Sequence, residues 1–400
     1  MRALIVDSGA GRGSLAAARG LARGGWTVGI GCPTRTGLAG LSRCVRHRHV
    51  VPPLASGTSD FLEAVERAVV ERDYQLVFAC SDAEIVALSR ERERIAARMP
   101  YADHETMLSA IDKTQLGHAA QAVGMATPPI ASSVAEARER WGAGATIVKE
   151  SLHGTLDTTG HISHLAPASF TDPTAAERRV EEIRAAGGVP VLQPFIAGRL
   201  MAFSSVVDGS GRTLARVQQL AERTYPREAG LSVRARTIAI DEQLAESVAR
   251  LLSGLGWFGL SELQFILPTE GAPVLLDFNG RFYGSLALAL AAEVNLPDIW
   301  ARLATGRDPS QAGDARPGVR YQWLEGDLRA ARECSRGPLR DACECARYAL
   351  GANGSIWSAT DPLPGLLAAG TVLGQAARVV AKSTKPPVKT TSEGPPRESA

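Results

Sequence analysis

The stretch from Leu260 to Ser285 constrains the fold of this 400-residue chain more than any other. It reads Leu-Ser-Glu-Leu-Gln264-Phe-Ile-Leu, then a turn rich in Pro and Gly, then Val-Leu-Leu-Asp277-Phe-Asn279-Gly-Arg281-Phe-Tyr-Gly-Ser285. Two apolar runs joined by turn residues specify adjacent antiparallel strands, which bring Gln264 and Asp277 within reach of one another. Side chains two apart along a strand project to the same side, so Asp277, Asn279 and Arg281 share a face. Oxygen ligands from Gln264, Asp277 and Asn279 suit a hard cation such as magnesium, which keeps waters and phosphates as its other ligands. Arg281, beside them, is suited to a transferring phosphoryl group or to charge developing on an acyl carbon.

The flanking sequence sets the fold class. Strand-like Ala3 to Val6, helix-like Ser14 to Ala22, strand-like Trp26 to Ile30, a helix over Asp60 to Val70 and a strand over Gln75 to Phe78 imply a parallel sheet. A charged helix is expected over Asp82 to Ala97. From Asp112 the pattern changes: helices over Lys113 to Val123 and ending at Trp141, strands at Ala145 to Lys149, Val191 to Ile196, Phe203 to Val207 and Thr213 to Gln218. A helix over Glu242 to Leu255 and strands at Ser261 to Leu267 and Pro273 to Phe278 complete an antiparallel-rich α+β unit. The expected layout is therefore α/β and α+β: a Rossmann-like domain over 1–110 and a two-lobed domain over 111–306, with lobes of about 111–192 and 193–306. A helical or mixed region follows over 307–382, with helices at Leu324 to Cys334, Asp341 to Leu350 and Pro364 to Ala381, and a disordered Lys/Pro/Ser/Thr tail over 383–400.

Charge and composition narrow the function classes. The net charge is +2, from 44 basic and 42 acidic residues, which gives no global field to recruit nucleic acid. No run reaches membrane-spanning length, and the N-terminus lacks the features of a secretory leader. The six cysteines, Cys32, Cys44, Cys80, Cys334, Cys343 and Cys345, lack paired metal-ligand spacing and are expected as reduced thiols in a cytoplasmic protein. His47 and His49 are read as residues of a surface strand. Gly9-Ala-Gly11-Arg12-Gly13-Ser14 follows a strand and opens a helix, a setting for anions or dinucleotides, but the next strand ends without the acid that would hold an NAD ribose. Lysine is scarce: before Ala381 the chain has only Lys113 and Lys149. An ammonium is a compact point charge where guanidinium is a planar fork, so a phosphate pocket built for one need not accept the other, and scarcity alone does not separate this from chance.

Gln264-Phe265 followed by Asp277-x-Asn279-x-Arg281 resembles the signature of the ATP-grasp superfamily, an acid or amide before Phe on one strand and Glu-x-Asn-x-Arg on the next. Gln264 stands where Glu is usual, as in the carbamoyl phosphate synthetase-like ATP-grasp domain, and Asp277 is one methylene shorter than Glu. The resemblance spans residues 1 to 305 and implies roles for other positions. Thr146-Ile-Val-Lys149 and Asp112-Lys113 would supply the lysines that reach the nucleotide phosphates. Ser151 to Gly160 would be the flap over them, with Gly154, Asp157 and Gly160. Val191-Leu-Gln193-Pro194-Phe195-Ile196 would be the adenine hinge, Gln193 meeting the amino group and the backbone of Phe195 and Ile196 reading the ring edge. Arg216, Arg223 and Arg227 would lie near the phosphates and acceptor, and the N-terminal loop would pack at the substrate cleft. Ser81-Asp82-Ala-Glu84 would help shape that cleft, helix capping being the ordinary job of Ser81 or Asp82.

The implied chemistry is an ATP- and magnesium-dependent carboxylate-amine ligase, with manganese as a substitute. It forms an acylphosphate and releases ADP and phosphate, with Arg281 acting in the transition state. A carboxylate-thiol ligase loading a carrier protein, or an ATP-binding protein without ligase activity, are the alternatives. The implied partners are a small-molecule carboxylate and an amine, and a homodimer is compatible.

Overall fold

The alternating runs of the first hundred residues form β1 (Arg2–Val6), α1 (Arg12–Arg23), β2 (Thr27–Cys32), β3 (Val45–Val50), α2 (Thr58–Arg72), β4 (Leu76–Ala79), α3 (Asp82–Arg90) and α4 (His104–Ile111) in the computed structural model. This structure describes residues 1–152, 155–156, 162–163, 165–227, 230–309, 313–333 and 337–370. The four strands pair in parallel in the order β3-β2-β1-β4. From Ala3 to Val6 and from Leu76 to Ala79, β1 and β4 are buried, which accounts for their unbroken apolar sequences.

Two local expectations are corrected here. α3 stops at Arg90 instead of running to Ala97, because the chain must return to the sheet: the Arg98 N–H donates to the Gln75 carbonyl, and the Arg98 carbonyl accepts from Val77. Pairing at the sheet edge overrides the helical propensity of the charged run. His47 and His49 both lie on β3, but His49 is only 8% exposed, with its Nε2 2.9 Å from the Tyr74 hydroxyl. It is a packed histidine, not a surface one.

Past Asp112 come α5 (Lys113–Ala122), α6 (Val134–Trp141), β5 (Thr146–Glu150), the short β6 (Thr155–Leu156) and β7 (Ile162–Ser163), β8 (Ala168–Phe170), α7 (Pro173–Ala185) and β9 (Pro190–Pro194). β8, β5 and β9 form an antiparallel sheet in that order. Asp112 caps α5 by accepting from the N–H groups of Thr114 and Gln115, and its other oxygen accepts from the Ser151 hydroxyl at 2.6 Å. This cap therefore fixes both the start of α5, where Lys113 sits, and the end of β5, which carries Lys149.

The remaining elements are β10 (Arg199–Val207), β11 (Thr213–Tyr225), β12 (Leu231–Ile238), α8 (Glu242–Gly254), β13 (Gly259–Leu267), β14 (Val274–Asn279), α9 (Leu286–Ala291), α10 (Leu296–Ala304), β15 (Gly313–Asp314), β16 (Arg320–Gln322), α11 (Leu324–Glu333), α12 (Pro338–Ala349) and β17 (Asn353–Gly354). They build a large sheet in the order β14-β13-β10-β11-β12-β16-β17, with β15 against β11. β11 runs to Tyr225, beyond the expected end at Gln218, and β12 was not anticipated. β15, β16 and β17 build part of the C-terminal region, expected as helical or mixed, into this sheet. The helix expected at Pro364 to Ala381 begins at residue 363 and reaches 370, the end of the described residues. No helix among the described residues is long and apolar enough to cross a membrane.

One apolar core runs from the parallel sheet through β10, β11, β13 and β14 to α10. Phe78 of β4 packs against Phe282 and Trp300, with ring centroids 5.0 and 4.8 Å apart, fastening the parallel sheet to the segment just beyond β14. A second, small core consists of Ala131, Val134, Ala137, Val148, Ala176, Val180, Ile183 and Leu192. It holds α6, α7, β5 and β9 together separately from the main body.

Candidate active site

The β13–β14 hairpin pairs Gln264 with Asp277 and Glu262 with Asn279, so acids and amides alternate in both directions across one face. Glu262 is only 2% exposed. Its Oε2 accepts from Gln264 Nε2 at 3.2 Å and from Asn279 Nδ2 at 3.0 Å. Because both amide nitrogens are turned to Glu262, the oxygens of Gln264 and Asn279 remain for other electropositive partners. Burial pushes the Glu262 carboxyl up to about 7, while its hydrogen bonds to the two amides and the nearby Arg281 pull the other way. Sequence reading had given Glu262 no role. The signal was available, since it lies two residues before Gln264 on the same strand face.

Opposite this hairpin stand the two rare lysines, both buried. Lys113 Nζ lies 3.4 Å from Asp277 Oδ1 and 3.4 Å from the Ser151 carbonyl. Lys149 Nζ donates to the Leu276 carbonyl at 3.4 Å. Burial, with Lys113 nearby, pushes the Lys149 ammonium down to about 7 against the pull of Asp277. An incoming anion would relieve both causes.

Arg281 is held by Asp82, the first residue of α3, through a bidentate pair of 2.7 Å from Nε and 3.2 Å from an NH2 nitrogen. Burial alone would lower the guanidinium, but the Asp82 carboxylate outweighs it and raises it above its ordinary value. Ser81 and Glu84 form the capping box of α3, which leaves the Asp82 side chain free of capping duty. The capping role expected for Ser81 or Asp82 thus falls to Ser81, and Asp82 faces the cleft. The start of α1 is seated nearby by a close approach at Gly13: a Cβ there would come within 2.8 Å of the Tyr283 carbonyl oxygen.

A cavity of about 1200 Å³ opens between these elements, and every candidate residue lines it: Lys113, Lys149, Gln193, Phe195, Ile196, Gln264, Asp277, Asn279 and Arg281. Asp7, Arg12, Asp82 and Glu262 line it too. This exceeds the ~300–1000 Å³ of common single-ligand sites, leaving room for a nucleotide and a second substrate. At the expected hinge Gln193 is buried on β9, but the Phe195 N–H is donated to the Ala145 carbonyl at 2.9 Å. β9 pairing therefore continues one residue further and occupies the Phe195 N–H. Among the described residues no backbone hydrogen bond engages the Phe195 carbonyl or the Ile196 N–H.

Two of the three expected basic residues are engaged elsewhere. Arg216 pairs with Glu242 and Asp314, and Arg223 with Asp327 and Glu344, away from the cavity. Arg227 lines the cavity. Of the expected flap, Gly154, Asp157 and Gly160 lie outside the described residues.

No cluster of three or more His, Cys, Asp or Glu side chains suited to a metal occurs among the described residues. The hairpin instead offers two carboxylates and two amide oxygens. That all-oxygen set, with few protein ligands and space beside it, fits magnesium, which retains waters and phosphates, better than zinc or copper.

The arrangement of sheets around one cavity, with its buried lysines and acid-amide hairpin, defines the fold class: the chain has an ATP-grasp fold. Within it, the family model described as "ATP-grasp in the biosynthetic pathway with Ter operon" matches residues 207–327. Among solved structures, the biotin carboxylase domain of Hydrogenobacter thermophilus 2-oxoglutarate carboxylase, in complex with MgADP, ADP and bicarbonate, is similar with a TM-score of 0.61 at 14% identity, over 79% of this chain and 73% of that one. The L-amino acid ligase of Bacillus licheniformis gives 0.58 at 15% identity, over 80% and 78%. N5-carboxyaminoimidazole synthetase of Staphylococcus aureus gives 0.60 at 11%, over 83% and 84%. No curated protein matches the chain by sequence.

Proposed function

We propose that the chain activates a small-molecule carboxylate with ATP and magnesium, and joins it to an amine with release of ADP and phosphate. The observation that carries this reading is the facing of two buried lysines and an acid-amide hairpin across one cavity, with Lys113 Nζ 3.4 Å from Asp277 Oδ1. Cations on one wall and oxygen donors on the other are what a polyphosphate with a divalent metal needs. Lys113 and Lys149 draw the phosphates toward β5. Gln193 meets the adenine amino group, and the backbone of Phe195 and Ile196 meets the ring edge.

Gln264, Asp277 and Asn279 would hold magnesium, which when bound neutralises phosphate charge. Arg281, aimed by Asp82, stabilises the charge that moves as the γ-phosphoryl group passes to the carboxylate. The carboxylate oxygen attacks phosphorus and ADP leaves. The amine then attacks the acyl carbon and phosphate departs, so the protein positions and stabilises without a covalent nucleophile. The cytoplasm, where ATP is available, is the setting this chemistry calls for. The test is a screen of small acids and amino acids, with and without amines, for magnesium-dependent ADP release. Stimulation by an acid supports the reading, and ATP turnover indifferent to every acid while bound ADP is retained opposes it.

A further inference from the structure

Glu262 is a buried carboxylate with no ion-pair partner among the described residues. Both of its hydrogen-bond donors are neutral amides, and both converge on Oε2. No Lys, Arg or His side chain among the described residues lies within ion-pair distance of it. Two cations that line the same cavity already have partners: Lys113 pairs with Asp277, and Arg281 is held by Asp82. A carboxylate is withdrawn from water at large cost unless a counter-charge arrives. Glu262 lines the cavity, so that counter-charge can come from there.

Position along the strand names the cation. Glu262 is the register partner of Asn279, and Gln264 that of Asp277. The residue before Phe265 is a neutral amide, and the acid of this strand face lies two residues earlier, at 262. A neutral amide at 264 leaves the metal with Asp277 as its one formal anionic ligand, and a second carboxylate on the same face restores the charge a hard divalent cation prefers.

We propose that Glu262, not Gln264, provides the anionic ligand of β13 to the divalent cation that accompanies the nucleotide phosphates. This rests on the ATP and magnesium reading above. Gln264 and Asn279, each donating to Glu262, orient its carboxylate and present their own oxygens beside it.

The test is uptake of Mn²⁺ by the protein in saturating ADP, read from the loss of the free-ion electron paramagnetic resonance signal, with folding checked by thermal melting. Glu262→Gln removes the charge and keeps the shape, and should weaken Mn²⁺ binding by roughly tenfold or more. Gln264→Ala should cost less than Glu262→Gln. The exchange Glu262→Gln with Gln264→Glu moves the acid to the signature position and should recover most of the affinity. Unchanged Mn²⁺ affinity in Glu262→Gln, or a greater loss in Gln264→Ala, overturns the assignment while the nucleotide reading stands. Absence of Mn²⁺ uptake by the wild-type protein with ADP would remove that reading as well. If Glu262→Gln does not fold, Glu262→Asp, which keeps the charge but retracts it, should still bind Mn²⁺ more weakly than Gln264→Ala, and the reverse order overturns the proposal.

Discussion

The small lobe and the hairpin wall solve opposite electrostatic problems. β5 presents Lys149 from a lobe with its own eight-residue core, and that lysine is pushed down to about 7 by burial and by Lys113. β13 and β14 present Glu262 and Asp277 from the main body, whose core is continuous from the parallel sheet to α10. One wall gathers cations where an anion is wanted; the other gathers oxygen donors where a cation is wanted. Lys113, at the start of α5, whose Leu116 and Ala120 belong to the main core, pairs with Asp277. The difference teaches that each wall is a poor electrostatic solution alone, and that phosphate together with a metal satisfies both.

The sharpest way to break this comparison is to measure ADP binding by calorimetry with and without divalent metal. Lys149→Met should lose roughly thirtyfold or more of ADP affinity in both conditions, since removing one member of a buried charge pair costs about 2–5 kcal/mol. Lys149→Arg should recover only part of it, because the planar fork does not fill the site of a compact ammonium. Asp277→Asn should weaken binding only when metal is present, and in chelator its ADP affinity should equal or exceed that of the wild type. Equal loss in chelator for both variants would show that the walls are not divided as described.

A smaller effect is expected at the junction between the parallel sheet and the hairpin. Asp82→Asn keeps a hydrogen-bond acceptor for Arg281 but removes the charge that aims it. Turnover should fall roughly tenfold with ADP affinity little changed, the pattern of an interaction realised mainly in the transition state. A change confined to ADP affinity would reassign Arg281 to ground-state binding.

The smallest effect concerns stability, and its sign is opposite to the loss of binding. Because Lys149 has its folded value depressed to about 7, the unfolded chain binds the extra proton between there and its ordinary value near 10.5. Wild-type stability without ligand should therefore rise with pH through that window, and the destabilisation is fully present below it. Lys149→Met should melt several degrees higher than wild type near pH 7, and the gain should shrink to nothing by about pH 10.5. A gain independent of pH would locate the benefit in packing instead of charge.

The parts of the site that were legible in sequence are those whose information is local. The hairpin places Gln264, Asp277, Asn279 and Arg281 within 18 consecutive residues, and the period of two fixes their shared face. Lys113 and Lys149 stood out through scarcity, although nothing local joins them. The pair of Arg281 with Asp82 spans 199 positions and leaves no periodic trace. Glu262 escaped notice because the signature directed attention to Gln264, while an acid in a strand is otherwise unremarked. β15 to β17 were missed because two or three residues carry too little alternation, and α3 was overextended because the pairing of Arg98 with the sheet edge is a tertiary demand. Arg216 and Arg223 were misplaced for the same reason, since their acidic partners lie far along the chain.

The central claim is that the γ-phosphoryl group is transferred to a carboxylate. Once a stimulating acid is found, it should be supplied with oxygen-18 in its carboxyl group, together with ATP, magnesium and the accepting amine. The account predicts ADP and inorganic phosphate as stoichiometric products, with one label per turnover carried into phosphate, because the bridging oxygen comes from the acid and leaves with phosphorus. Unlabelled phosphate, or AMP and pyrophosphate in place of ADP and phosphate, would contradict it.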